Sequence, residues 1–426
     1  MFKYYWNKLN INYSENIFYI GIFFIPSAFV VSVIFLLLAS IFKLVEDKKF
    51  FFKDKLNNLF LISGLLMIIS CIVHSLKVYS PQLNTWSPYL SWVGLANWVP
   101  FYIFSWGFEP YLSNLERRKK STLMLLAGSI PVIFSCIGQA FFNFHGPFTT
   151  FNRLIIWYSR PLDGDFFGAT GLFNNPNITG AWLNIIWPVS LAFYINQESK
   201  LKKYISYTLI ILISLCIVLT NSRAAWAGLF ISSLMFFGFK SLKWLLLIFI
   251  SVFSLIIFSI SFSRFNILPY ELVNKFSDFQ YLDRLDIWNR AIQIILQNPF
   301  FGNGGSSFSE LYQGLTGLYK NHSHNIALEL MINYGVPAAL FTLIPILFLL
   351  LRSLQTALEI KSLKILLFDK SLIIGFFIIV LMHMADIQYF DGRISITFWI
   401  LIAAIKNIVL TNDQKLVDLE NDSKKI

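Results

Sequence analysis

Apolar runs of about 17 to 25 residues, the length a helix needs to cross a hydrocarbon layer, recur along this chain of 426 residues. The reading gives roughly eleven such spans: Ile17–Phe42, Leu59–Tyr79, Tyr89–Phe108, Thr122–Phe142, Ile178–Asn196, Tyr204–Thr220, Ala224–Lys240, Trp244–Phe262, Ile326–Leu351, Ser371–Gln388 and Ile394–Leu410. The expectation is an all-α polytopic membrane protein with about 11–12 transmembrane helices and two larger external loops. Composition agrees, because 56% of residues are hydrophobic and 13% charged, too few polar groups to cover a soluble fold of this size. Soluble enzyme classes are thereby excluded. The net charge of +11 falls in short clusters between spans, a topology signal, so no nucleic-acid partner is expected.

Those clusters set the sidedness. Lys43, Lys48, Lys49, Lys53 and Lys55 crowd one connection, none occurs between Ser80 and Pro88, and Arg117, Arg118, Lys119 and Lys120 crowd the next. Basic loops face the cytoplasm. The chain then divides into N-terminal transmembrane helices (1–142), a first external loop (143–177), central transmembrane helices (178–262), a large external loop with an interfacial helix (263–325), C-terminal transmembrane helices (326–410) and a cytoplasmic tail (411–426). The first span is the exception: a single crossing puts the amino terminus outside, whereas a hairpin at Pro26 gives about twelve helices. Nothing at the start resembles a cleavable signal. Cys71, Cys136 and Cys216 lie in apolar runs and read as small hydrophobes, with neither disulfide nor metal site.

A charged side chain deep in a membrane helix costs on the order of 3 kcal/mol, so such residues mark function. Arg223, in "LTNSRAAWAGL", sits between two apolar helices with hardly any loop to hold it in water; an arginine snorkelling to headgroups is the competing reading. Leu282, Leu285, Trp288, Ile292, Ile295 and Leu296 recur at helical spacing and predict an amphipathic helix at the outer interface that carries Arg284, ended by Asn298–Pro299 and followed by Gly302, Gly304 and Gly305. His322 and His324 precede a long apolar helix, whose N-terminal dipole favours a neutral imidazole at His324; Asn325 could orient it or a substrate hydroxyl. A two-histidine metal site is a weak alternative without a nearby carboxylate or cysteine, and no metal or other cofactor is expected. Arginines bind diphosphate, and a sugar on a lipid diphosphate needs cations for its leaving group and a base for the acceptor hydroxyl. His383 and Asp386 form a further intramembrane polar pair, followed by Asp391 and Arg393, and read as structural or acceptor-side as readily as catalytic. Asp163 and Asp165, near Arg153 and Arg160, could touch sugar, although a solvated loop is the plainer reading.

Four stretches, "GLFNNPNITGAWL", "NSRAAWAGL", "RLDIWNRAIQIILQNPFFGNGG" and "HNIALELMINYGVPAAL", resemble, in order and spacing from Gly171 to Leu340, the signature stretches of the O-antigen ligase and O-antigen polymerase superfamily. The resemblance implies a glycosyltransferase-C-like fold and an inverting, metal-independent transfer or polymerisation of a glycan from a polyprenyl-diphosphate carrier such as undecaprenyl diphosphate. It places the protein in the bacterial inner membrane with the active site facing the periplasm, and implies as acceptor a glycan, lipid-core or protein hydroxyl. The matching positions are Arg223 and Arg284 for the donor diphosphate and His324 as catalytic base, with Asn325 beside it; Asn177, Arg290, His383 and Asp386 are further candidates for support. Ala338 and Asn333 depart from the family's usual residues and weaken any subfamily assignment. The alternative is a membrane transporter for a small anion such as bicarbonate, against which stands the absence of an inverted repeat.

Overall fold

The computed structural model describes residues 2–46, 54–76, 86–162, 168–244, 246–247, 280–359 and 364–423. Most of the expected span Trp244–Phe262, the stretch 263–279, and Asp163 and Asp165 lie outside the described residues. The remainder is helical apart from one small hairpin. Seven helices among the described residues are long and apolar enough to cross a membrane, and Phe29–Val45 and Arg223–Phe237 are shorter apolar helices.

The first expected span is a hairpin. Helices α1 (Phe2–Phe24) and α2 (Phe29–Glu46) flank a turn at Pro26, where the missing N–H and fixed φ of proline stop the helix. Glu15 of α1 pairs with Arg117, and the Phe23 backbone lies against Gly128, so α1 runs parallel to α6 (Leu115–Gly128). Its amino-terminal end therefore lies with the basic connections, which removes the exception in the charge count. The span at Tyr89–Phe108 is broken into α4 (Tyr89–Leu95) and α5 (Val99–Phe108), and Thr122–Phe142 is the later part of a two-piece crossing, α6 and α7 (Ile130–Phe142). Pro100 and Pro131 start the second piece in each case, consistent with proline's preference for first-turn positions.

Helices α8 (Pro176–Ile195), α9 (Lys200–Leu219) and α10 (Arg223–Phe237) follow, then α11 (Gln280–Gln297), α12 (Phe308–Thr316), α13 (Ile326–Tyr334), α14 (Val336–Glu359), α15 (Leu367–Ala385) and α16 (Gly392–Ser423). The core lies around α8, α15 and the first half of α16. Trp399 on α16 packs edge-on against Phe60 and Tyr102, each 5.2 Å away, and donates to the Tyr389 hydroxyl at 2.8 Å. Strands β1 (Phe148–Thr150) and β2 (Ile155–Trp157) pair antiparallel in the loop before α8. Trp157 Nε1 donates to the Ser27 carbonyl at 2.7 Å, tying that hairpin to the α1–α2 turn.

At the basic end, buried charges are paired. Arg118 holds Asp369 through two bonds of 2.7 Å, and Lys406 meets Glu109 at 2.6 Å, Asn57 at 3.1 Å and Asp54. Each ion is compensated, as a low-dielectric site requires.

Candidate active site

At the opposite end the sequence motifs converge, and each is explained by close packing. Ser222 caps α10, its Oγ accepting the Ala225 N–H at 3.4 Å. Small residues then let α10 lie directly on α8: a Cβ built on Gly180 would stand 2.5 Å from that of Ala225, and one on Gly228 would stand 2.9 Å from Asn184 Oδ1. Asn184 Nδ2 bridges the two helices, donating to the Gly180 and Ala225 carbonyls. "NSRAAWAGL" is therefore a cap, a cation and a small-residue face, and it fixes Arg223 at the first position of α10.

The glycine-rich segment after α11 is laid against the break between α13 and α14. Asn303 N–H donates to Ile332 O at 2.6 Å, Gly304 N–H to Asn333 O at 3.1 Å, and Val336 N–H to Pro299 O at 2.7 Å. Gly335, with φ +89°, lies so close to Phe300 that a Cβ there would stand 2.2 Å from its carbonyl oxygen. This strap carries α11, and with it Arg284, onto the bundle.

Arg223, Arg284, Asn177, Ser222 and Asp386 line one cavity of about 270 Å³, with Ile378, Leu381 and Met382 as its apolar wall. The structure thus brings together three helix starts and the end of α15 that are far apart in sequence. Beside the cavity stands His324. Its Nδ1 lies 3.0 Å from Asp386 Oδ1. Asp386 Oδ1 also accepts the Ile387 N–H at 3.0 Å, and Oδ2 accepts Asn177 Nδ2 at 3.0 Å. Burial alone would push this carboxyl up; the hydrogen bond from His324, the two neighbouring imidazoles and the Ile387 N–H outweigh it and hold it below its ordinary range. Asp386 Oδ1 accepts the His324 Nδ1–H, which in a neutral imidazole leaves the lone pair on Nε2.

His324 itself is held in the left-handed region at φ +54°, an uncommon conformation for a non-glycine residue that surrounding contacts must sustain. Those contacts are present. Its N–H donates to His322 Nδ1 at 3.2 Å, and the two rings are 4.2 Å apart, edge to face. Ser323, between them, donates from both N–H and Oγ to buried Glu329, whose carboxyl burial pushes up. Burial, the neighbouring His324 and the Arg284 cation lower His322 to about 4 against the opposing pull of Asp386, so it is a neutral prop. His322 is thus part of the site's frame, which the sequence motif does not show.

Several expected supports fall elsewhere. Asn325 caps α13, its Oδ1 accepting the Ala327 and Leu328 N–H groups and its Nδ2 donating to Met384 O; both ends of its amide are structural, so it orients neither imidazole nor substrate. Arg290 pairs with Asp286 at 3.7 Å along α11 and does not line the cavity. His383 is buried among Tyr389 and Phe398 and does not line the cavity. The apolar face of α11 also differs from the expected one. Ile287, Ala291, Ile294 and Ile295 pack on Phe308, Tyr312 and Ile332, while Leu285, Ile292 and Leu296 are exposed.

The ligand atoms of His322, His324 and Asp386 lie within 4.8 Å of one another, close enough to suggest a metal site. The bonding argues otherwise. His322 Nδ1 accepts a backbone N–H, which leaves its ring proton on Nε2, the atom facing Asp386 4.0 Å away. Within the trio His324 bonds Asp386 and His322 holds the His324 backbone.

Fold and site define a polytopic α-helical membrane protein with a two-arginine cavity beside a histidine–aspartate pair. Residues 208–343 match the family model described as O-Antigen ligase. Such a family implies a glycosyltransferase-like enzyme working on lipid-linked glycan at the membrane. No curated protein matches the chain.

Proposed function

We propose that the protein transfers or polymerises a glycan from a polyprenyl-diphosphate carrier at the external face of a bacterial inner membrane, with inversion and without a metal ion. The observation that carries this reading is that Arg223 and Arg284, from two separate elements, line the same cavity as Asp386, which itself holds His324. The arginines take the diphosphate, whose charge grows as the anomeric C–O bond breaks, and their planar forks suit two phosphate groups. His324 Nε2 takes the proton of the acceptor hydroxyl as its oxygen bonds to the anomeric carbon. Asp386 fixes the imidazole tautomer and stabilises the imidazolium that forms, while Asn177 keeps the carboxylate in place. Positioning and electrostatics supply most of the rate, and the base on the order of 10²–10⁴-fold. The basic clusters at the opposite end support a cavity that faces away from the cytoplasm.

The test is binding of radiolabelled polyprenyl diphosphate to the purified protein, together with transfer from lipid-linked glycan. Arg223→Lys and Arg284→Lys are expected to weaken both, and the alanine variants more so, at normal protein level. Full transfer by the double alanine variant would remove the reading.

A further inference from the structure

A second cavity, of about 420 Å³, lies across a thin partition from the first. Asn177 and Asp386 face the arginine cavity, whereas the next residue of each, Ile178 and Ile387, faces the second. Asn177 and Asp386, hydrogen-bonded to each other at 3.0 Å, stand at this boundary. Four separate segments build the second cavity: the α1–α2 turn at Pro26, the β-hairpin with Arg153 and Tyr158, Asn174 before α8, and the α15–α16 connection with Phe390 and Asp391. Its volume lies within the usual range for small-molecule sites.

Its chemistry suits a sugar. Asn174 Oδ1 is buried and accepts no hydrogen bond among the described residues. A lone acceptor of that kind calls for a donor, and a hydroxyl supplies one. Phe390 is 41% exposed at the rim, an apolar ring for the C–H face of a pyranose. The polar wall is rigid: Arg393 holds Asp391 through bonds of 2.9 and 2.6 Å, donates to Leu172 O at 3.1 Å and stacks on Phe173 at 4.1 Å. Arg153 adds a cation from the hairpin.

We propose that this second cavity binds the terminal sugar of the acceptor. The inference rests on the donor assignment above and deepens it. Inversion requires the acceptor oxygen to bond to the anomeric carbon on the face opposite the departing diphosphate. The two cavities provide those two faces, with the His324–Asp386 pair between them to take the hydroxyl proton while the arginines receive the diphosphate and its electron pair.

The experiment uses the full-length protein in lipid nanodiscs. Transfer is followed while the glycolipid fraction from cells lacking the gene is titrated as acceptor, and binding of polyprenyl diphosphate alone reports the arginine cavity. Phe390→Ala, on an exposed ring that the fold does not need, and Asn174→Ala are expected to raise the half-saturating glycolipid concentration about tenfold or more with polyprenyl-diphosphate binding unchanged. Phe390→Tyr keeps the ring and should stay near wild type. Saturation curves matching wild type in both alanine variants would overturn the acceptor site, as would loss of polyprenyl-diphosphate binding, which would give the cavity to the donor. Normal polyprenyl-diphosphate binding by Arg223→Ala, or a wild type that transfers nothing from lipid-linked glycan to this fraction, would instead overturn the donor reading beneath it.

Discussion

Asp386 decides which nitrogen of His324 is basic, so its charge matters more than its shape. Asp386→Asn keeps the size and, with its amide oxygen where Oδ1 accepts the Ile387 N–H, a hydrogen bond to the imidazole, but it removes the negative charge that stabilises the imidazolium. Transfer is expected to fall on the order of 10²–10⁴-fold, as for loss of a general base, with polyprenyl-diphosphate binding retained; single-turnover transfer alongside a binding measurement checks this, and an Asp386→Asn enzyme of normal rate would dissociate the aspartate from the chemistry. The histidine and both arginines are legible in the sequence because each is an expensive charge, or an imidazole at a helix start, inside a recognisable stretch. The His324–Asp386 bond spans 62 residues, and no local periodicity encodes such a pairing; sequence places Asp386 beside His383 because they are one turn apart, while in the fold Asp386 lines the cavity and His383 is buried against Tyr389 and Phe398. Asn325 is the converse case. It stands beside the histidine in the motif because α13 needs a cap, and the shared dipeptide combines one chemical residue with one structural residue.

At the level of elements, the glycine strap is what presents Arg284. Gly335→Ala places a methyl group 2.2 Å from Phe300 O at a φ of +89°, which an L side chain rarely adopts. The expected cost is about 1–3 kcal/mol, read as a lower unfolding midpoint in detergent, with weaker donor binding because α11 is no longer held. Gly314→Ala on α12 has nothing within 4 Å of the added methyl and should be neutral or slightly stabilising; equal losses at the two positions would mean that the strap is not special. The helix around Arg284 is readable from its 3.6-residue period, but its buried face is not. Apolar residues occur on two faces of α11, and the partners that choose between them, Phe308, Tyr312 and Ile332, arrive only with the tertiary fold. The Pro26 turn was readable as an option, and the placement of α1 beside α6 selects it.

For the molecule as a whole, the alternation of basic and uncharged connections carries the expected topology, and the α1–α2 hairpin makes the amino terminus consistent with it. Single cysteines test it. In intact spheroplasts an impermeant thiol reagent should label Leu315→Cys and Phe151→Cys, both exposed at the cavity end, and should leave Glu116→Cys and Lys200→Cys unlabelled until the membrane is opened. The reverse pattern would turn the catalytic face toward the cytoplasm and exclude the proposed donor side.

The buried ion pairs at the basic end bear on how such a chain is made. Arg118 waits for a partner 251 residues downstream, and Lys406 meets Glu109 and Asn57 across 297 and 349 residues. During synthesis the early charges therefore emerge long before these partners, and they stay in contact with water until the last two helices arrive. Closure of the bundle at that end is then coupled to completion of the chain, so a truncated product is left with open, hydrated charges that a quality-control protease can distinguish from the finished protein.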